Sequence, residues 1–217
     1  MQTEITKIQT TKQGHYALFC ISGFLFSVDA ETVIQYDLKK GKVLSEPELL
    51  SLEKKSLFQK AKNRALTYLS IRDYGQEELR LKLERFYDKD AAEYAVQKMC
   101  DLGFVDDEKF ATHRARYLVE TRGLSIKEAK VKLQQLNLSK DIIEASLQEF
   151  SEEDSDEENA VAFLRKKHLS NIKSGNMKKV LASTQRKGFN YATIKRALNV
   201  IFEEENIEEQ DIYSEEF

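Results

Sequence analysis

The chain has 217 residues, 41% apolar and 33% charged, with eight Gly, one Pro, no Trp and a net charge of −3, the profile of a helix-rich protein of one or two domains. No apolar run approaches the roughly 18–20 residues that span a bilayer, and no basic segment followed by a long apolar one opens the chain, so no membrane contact and a cytoplasmic location are expected. Cys20 and Cys100 stand far apart among apolar neighbours, which excludes a cysteine metal or redox motif.

Residues 1–44 read as a small antiparallel β region with a short helix. Residues 4–10 alternate with period two, as a half-buried strand does. Residues 15–21 and 24–28 are apolar and aromatic, and Ser22-Gly23 between them signals a hairpin. A helix start follows at Asp29, and Gly41 ends the segment. Residues 45–57 read as a connecting helix: Ser45 caps, Pro47 is tolerated in a first turn, and Glu48 completes a capping box. The same chemistry recurs at Ser125 with Glu128 and at Ser155 with Glu158.

From Phe58 to Phe202 a pattern recurs about every 50 residues, the mark of stacked supersecondary units. Leu66-Thr67-Tyr68-Leu69 leads to residues 78–83 and then 91–96. Residues 116–119 lead to 128–133 and 142–147. Residues 162–165 lead to 178–181 and 194–198. Residues 58–105, 106–154 and 155–205 are therefore expected to be three tandem three-helix repeats, and 206–217 an acidic tail. The helices are expected near 58–71, 76–86, 89–102, 107–121, 126–137, 140–150, 156–170, 176–187 and 191–205. The fold class is mainly α: an elongated curved array preceded by a small antiparallel sheet. Such arrays offer extended surfaces rather than closed pockets, which favours binding over catalysis.

Charge is segregated along the chain. Residues 151–158 hold six acidic and no basic residues, 159–202 hold ten Lys or Arg and no acid, and 203–217 hold eight acidic and no basic residues. A solvated helix face mixes signs, because mixed pairs support the helix. The basic block is therefore read as an anion-binding surface, for nucleic acid or an acidic protein groove, or as a charge balanced internally by its acidic flanks. Its candidate contacts are Arg165, Lys166, Lys167, Lys173, Lys178, Lys179, Arg186, Lys187, Lys195 and Arg196. Arg72, Arg114, Arg116 and Arg122 are secondary candidates in the first two repeats. Phe163, Phe189 and Tyr191 read as core rather than as base-stacking platforms. Like charges repel along 151–158, so that run is expected to be the most mobile joint.

Residues 103–111 form the most distinctive stretch. Gly103 permits the left-handed conformation that ends a helix. Phe104 and Val105 are expected to pack inward, Asp106 or Asp107 to cap the next helix, and Phe110 and Ala111 to face its core. The aspartates are read as structural, since no third ligand or His stands at metal-site spacing. His15, His113 and His168 neighbour no Ser or Cys nucleophile candidate, and no Gly-rich phosphate loop is present. No catalytic residue, cofactor or metal is expected.

Gly103-Phe104-Val105-Asp106-Asp107-Glu108-Lys109-Phe110-Ala111 resembles the signature of the RecX family of regulatory proteins. Residues 65–83, with Arg72, Gly75, Glu78 and Leu79, resemble that family's first-repeat pattern. Gln185-Arg186-Lys187-Gly188-Phe189 resembles its third-repeat Arg-Arg-Gly-Phe turn. The resemblance covers about residues 58–202, and residues 1–44 resemble the N-terminal extension of longer members. Two departures stand out. The Lys-Gly turn expected after the second helix of the first repeat is Phe86-Tyr87-Asp88-Lys89 here, and Lys187 replaces the second Arg of the pair, so an Arg-specific bidentate contact is not carried over to position 187. The resemblance implies a non-enzymatic protein of recombination and DNA repair that binds the RecA recombinase filament and inhibits it; a monomer is expected. The alternative is a module that binds single-stranded DNA directly and competes with recombinase for it.

Overall fold

A computed structural model describes residues 2–12, 14–150 and 154–207. Its contacts gather into two units, Met1–Val105 and Asp106–Phe217. The expected acidic tail lies outside the described residues from position 208 onward.

The first unit opens with strands β1 (Gln2–Glu4), β2 (Lys7–Thr10), β3 (Tyr16–Cys20) and β4 (Gly23–Val28), helix α1 (Ala30–Gln35) and strand β5 (Val43–Ser45). Strands β2, β3 and β4 form an antiparallel meander, while β1 pairs antiparallel with β5. The alternating stretch 4–10 is thus two strands rather than one. The break falls at fully buried Ile5, whose N–H donates to Lys42 O and whose carbonyl accepts from Gly41, each at 2.8 Å. The hairpin turn sits at Ile21 and Ser22, where the Ser-Gly signal placed it. Asp29 caps α1, its Oδ1 accepting from Thr32 N–H at 2.7 Å.

Helices α2 (Glu46–Leu69), α3 (Gln76–Leu83) and α4 (Lys89–Asp101) complete this unit. The separate helices expected over 45–57 and from 58 are one continuous helix: no Gly or Pro interrupts residues 50–65, and the Ser56 hydroxyl donates to Ser27 O instead of capping a new start. Glu48 accepts from both Ser45 N–H (2.8 Å) and Ser45 Oγ (2.7 Å) at its start. Leu52 of α2 joins the core of the β region with Ile5, Leu18 and Leu44. Ala61 and Ala65, farther along, join the first three-helix core with Leu79, Leu83, Ala95 and Met99.

The second unit holds α5 (Asp107–Arg116), a π-helical turn (Tyr117–Thr121), α6 (Ile126–Gln134), α7 (Lys140–Leu147), α8 (Asp154–Lys173), α9 (Met177–Gln185) and α10 (Tyr191–Glu205). α5 to α7 close around Ala115, Leu118, Ala129, Leu133 and Ile143. α8 to α10 close around Leu164, Ile172, Val180, Ile194 and Ile201. Ser125 caps α6 as expected, accepting from Glu128 N–H at 3.1 Å. Ser155 does not cap α8: it lies inside a helix that already runs at Asp154.

Of the run 151–158 expected to be the most mobile joint, residues 151–153 lie outside the described residues, and residues 154–158 are helical and bonded to the second repeat. Asp156 is 4% exposed, and its Oδ1 accepts Ile126 N–H at 2.8 Å. That places a carboxylate at the positive end of α6. The π-helical turn shifts backbone pairing, with Arg122 N–H donating to Tyr117 O at 3.0 Å. Asn159 Nδ2 donates to Val119 O at 3.0 Å beside it. Gly188 then presses the 185–189 turn onto α6. Its φ is +93°, and a Cβ there would stand 2.2 Å from Ser125 Oγ.

The 103–111 stretch serves as a joint. Gly103 is left-handed at φ +72°, and Phe104 N–H returns to Met99 O at 2.9 Å. Val105 is buried, but Phe104 is 58% exposed, which corrects the expectation that both pack inward. The chain reverses at Gly103, and Val105 fills the core position. Asp106 caps α5, its Oδ1 accepting from Glu108 and Lys109 N–H at 3.1 Å each. Asp107 is the first residue of α5, and Phe110 is buried.

Candidate functional site

The ten cations of the basic block sit on α8, α9, the turn after α9, and α10. In α8 the buried stripe is Asp156, Ala160, Leu164, His168 and Ile172, every fourth residue. That register turns Arg165, Lys166 and Lys167 to the surface. In α10 the buried Ile194, Ala197, Leu198 and Ile201 leave Lys195 exposed and Arg196 half-buried. Three cations pair with the acidic flanks: Arg165 with Glu204, Lys173 with Glu205 at 2.5 Å, and Arg196 with Glu157 at 2.6 Å. Internal balance is therefore realised for part of the block. Lys166, Lys167, Lys179 and Lys195 are exposed and have no carboxylate partner among the described residues. Lys178 is exposed on α9, and Arg186 Nε donates to Ala182 O at 3.1 Å.

One part of this surface is organised around Phe163. Lys187 Nζ lies 5.4 Å from the centre of its ring, and the His168 ring meets it edge-on at 5.4 Å. His168 is buried, with Nε2 and Ser183 Oγ 2.9 Å apart. Burial, and then the charge of Lys179, hold its pKa below the usual histidine value, so it stays neutral near pH 7. Lys166 and Lys167 stand one helical turn beyond Phe163. Phe189 is core as expected, and Phe163 is half-buried. Tyr191 is 59% exposed, contrary to expectation. It is the first residue of α10, where side chains lean back off the helix end.

The secondary candidates divide. Arg72 makes a two-pronged contact with Glu78, at 2.5 and 3.1 Å, and lies 3.7 Å over Tyr74. Arg116 pairs with Glu149 at 2.8 Å and Glu120 at 3.8 Å. Arg114 stacks 5.2 Å over Tyr117, and Arg122 is exposed. Sequence reasoning missed Arg64 and Lys82, which lie against the aromatic rings of the first repeat. Arg64 is 4.1 Å from the Phe86 ring centre, and Lys82 is 4.4 Å from that of Tyr68. The signal was present in the alternation of basic 64, 72 and 82 with aromatic 68, 74, 86 and 87. Among the described residues no three His, Cys, Asp or Glu gather as metal ligands, and no helix is long and apolar enough to cross a membrane.

Residues 61–99, most of the first three-helix unit, match the family model described as RecX, first three-helix domain. A Regulatory protein RecX of Clostridioides difficile (strain 630) is 28% identical over 96% of this chain and 99% of its own length. That of Bacillus subtilis (strain 168) is 29% identical over 95% of this chain and 80% of its own. Among solved structures, a regulatory protein RecX superposes with a TM-score of 0.68 at 22% identity, covering 91% of this chain and 99% of the other. RecX from Lactobacillus salivarius gives 0.57 at 25% identity, over 66% of this chain and 96% of its own. The small N-terminal sheet followed by three-helix units, the family model over the first of them and relatives matched over nearly the whole chain point one way: the chain is similar throughout to regulatory proteins of the RecX family.

Proposed function

We propose that this chain regulates homologous recombination without catalysing a reaction, by binding a RecA recombinase filament and restraining it. Similarity to regulatory RecX proteins over nearly the whole chain supports the regulatory role. The observation that carries the contact surface is the set of exposed cations on α8 to α10 with no carboxylate partner among the described residues: Lys166, Lys167, Lys179 and Lys195. Their uncompensated positive charge attracts a polyanionic filament and raises the encounter rate. The protein acts as a monomer in the cytoplasm in this reading. The second reading, competition for single-stranded DNA, draws support from Phe163, a half-buried ring beside Lys187. The test is recombinase strand exchange titrated with the native chain and with the Lys166→Glu/Lys167→Glu/Lys195→Glu variant. Loss of inhibition in a variant that melts like the native chain supports the reading; full inhibition by that variant overturns it. Inhibition that follows DNA occupancy alone favours the second reading.

A further inference from the structure

The first repeat carries a surface that the basic third repeat does not explain. Along one side of α2 and α3, cations and aromatic rings alternate. Arg64 lies 4.1 Å from the ring centre of Phe86 and 5.8 Å from that of Tyr87. Lys82 lies 4.4 Å from the Tyr68 ring centre and 4.8 Å from that of Tyr74, and its Nζ donates to Tyr74 Oη at 2.5 Å. Tyr68 and Tyr74 stand 6.2 Å apart. Arg72 extends the row, 3.7 Å over Tyr74.

Two features separate this row from an ordinary helix surface. First, Arg72 and Arg80 of the same repeat are engaged by carboxylates, Arg72 by Glu78 and Arg80 by Glu77 and Glu84. Arg64 and Lys82 have no carboxylate partner among the described residues and are held by phenol oxygens and ring faces instead. Their charge is fixed in place but not neutralised. Second, Phe86 is 58% exposed although a cation rests on its ring. A solvated phenylalanine one residue from the half-buried Tyr87 gains little by itself from that position.

Positioned cations interleaved with ring faces match one ligand chemistry closely. A single-stranded nucleic acid presents a phosphate every nucleotide and an unstacked base beside it. The cations meet phosphates, and an exposed ring stacks a base whatever its identity. An acidic peptide would use the cations and leave Phe86 without a counterpart. We propose that the α2–α3 face of the first repeat is a sequence-tolerant single-strand binding surface, with Arg64 and Lys82 facing phosphates and Phe86 stacking a base. It does not depend on the recombinase reading, since it concerns DNA with no recombinase present.

The test measures fluorescence anisotropy of a labelled oligo-dT and of an abasic phosphodiester of equal length, without recombinase. Native protein is compared with Phe86→Ala and with Arg64→Gln/Lys82→Gln, each checked by thermal melt. Phe86→Ala is expected to weaken oligo-dT binding by roughly tenfold and to leave abasic binding unchanged. The double variant is expected to weaken both and to flatten the salt slope by about 1.4, from about 0.7 per phosphate. Unchanged oligo-dT affinity in both variants overturns the proposal, as does an equal effect of Phe86→Ala on the two strands. A poly-Glu peptide that binds more tightly than oligo-dT, and loses affinity in the double variant, would assign the surface to a protein partner and overturn it too. The protein has nine Tyr and no Trp. Quenching of its tyrosine emission on adding oligo-dT but not the abasic strand therefore gives a second readout.

Discussion

Asp156 and Ile126 stand thirty positions apart, yet the carboxylate of one accepts the backbone N–H of the other at 2.8 Å, with the aspartate almost fully buried. The bond ties the first turn of α8 to the first turn of α6. It satisfies one of the donors that a helix start leaves free. Removing the carboxylate orphans that donor in a buried place. Asp156→Ala should therefore destabilise the second unit by about 1–3 kcal/mol. Glu158→Ala, at an exposed position two residues on, should change the melting temperature little. Thermal melts of the two variants side by side check this, and equal effects would contradict it.

Gly188 makes the same joint from the other side. A side chain there would combine a left-handed backbone with a Cβ 2.2 Å from Ser125 Oγ and 2.8 Å from Glu128 Cβ. Gly188→Ala should cost at least about 2 kcal/mol, through strain and displacement of the α6 start. Gly175→Ala has the left-handed cost (φ +72°) but open space around the new methyl, and should cost less. Denaturant melts that rank the two in the opposite order would refute the close-approach account.

His168 adds a pH dependence. Burial and the Lys179 charge place its folded pKa below the unfolded one, so the unfolded chain takes up the proton first as pH falls. Its contribution is complete above about pH 6.5 and is lost as pH drops below that value. Native protein should melt lower at pH 5.5 than at 7.5, and Lys179→Gln should lose less over the same interval. Parallel pH profiles for the two proteins would show that Lys179 does not act on His168.

Asp106 is a structural cap. Its carboxylate is held below the usual range first by the Lys109 backbone N–H, then by the Lys109 side chain. A lowered carboxylate stabilises above its unfolded value, near pH 4, and the benefit fades as pH falls through the folded one. Asp106→Ala should lower the melting temperature at pH 7 and leave inhibition per folded molecule unchanged. Asp106→Asn, which keeps a capping oxygen, should recover most of the loss. Unchanged melting with abolished inhibition would give Asp106 a direct role instead.

Much of the fold was legible because it rests on local signals. The hairpin at residues 21–23, the caps at Asp29, Ser125 and Asp106, and the apolar periodicity of α8 to α10 are each written within a few neighbouring residues. What escaped depends on distant partners. Ser155 carries a good capping pattern, but α8 runs already at Asp154, and the aspartate beside Ser155 is spent on Ile126. Residues 4–10 alternate like one strand, but Gly41 and Lys42 take the backbone of Ile5 and split it. The candidate surface was legible as a run of one charge. Which cations stay unpaired was not, because Glu157, Glu204 and Glu205 reach theirs through folding alone.

The central claim is direct contact between this chain and a recombinase filament. The measurement that tests it most directly is co-sedimentation with RecA filaments assembled on single-stranded DNA, with naked DNA and recombinase alone as parallel samples and with nuclease added after binding. The account predicts that the chain pellets with the filament and stays with recombinase after nuclease treatment. It also predicts that Lys166→Glu/Lys167→Glu/Lys195→Glu moves most of it to the supernatant. Pelleting with naked DNA alone, or equal pelleting of native and variant chains, would contradict the account.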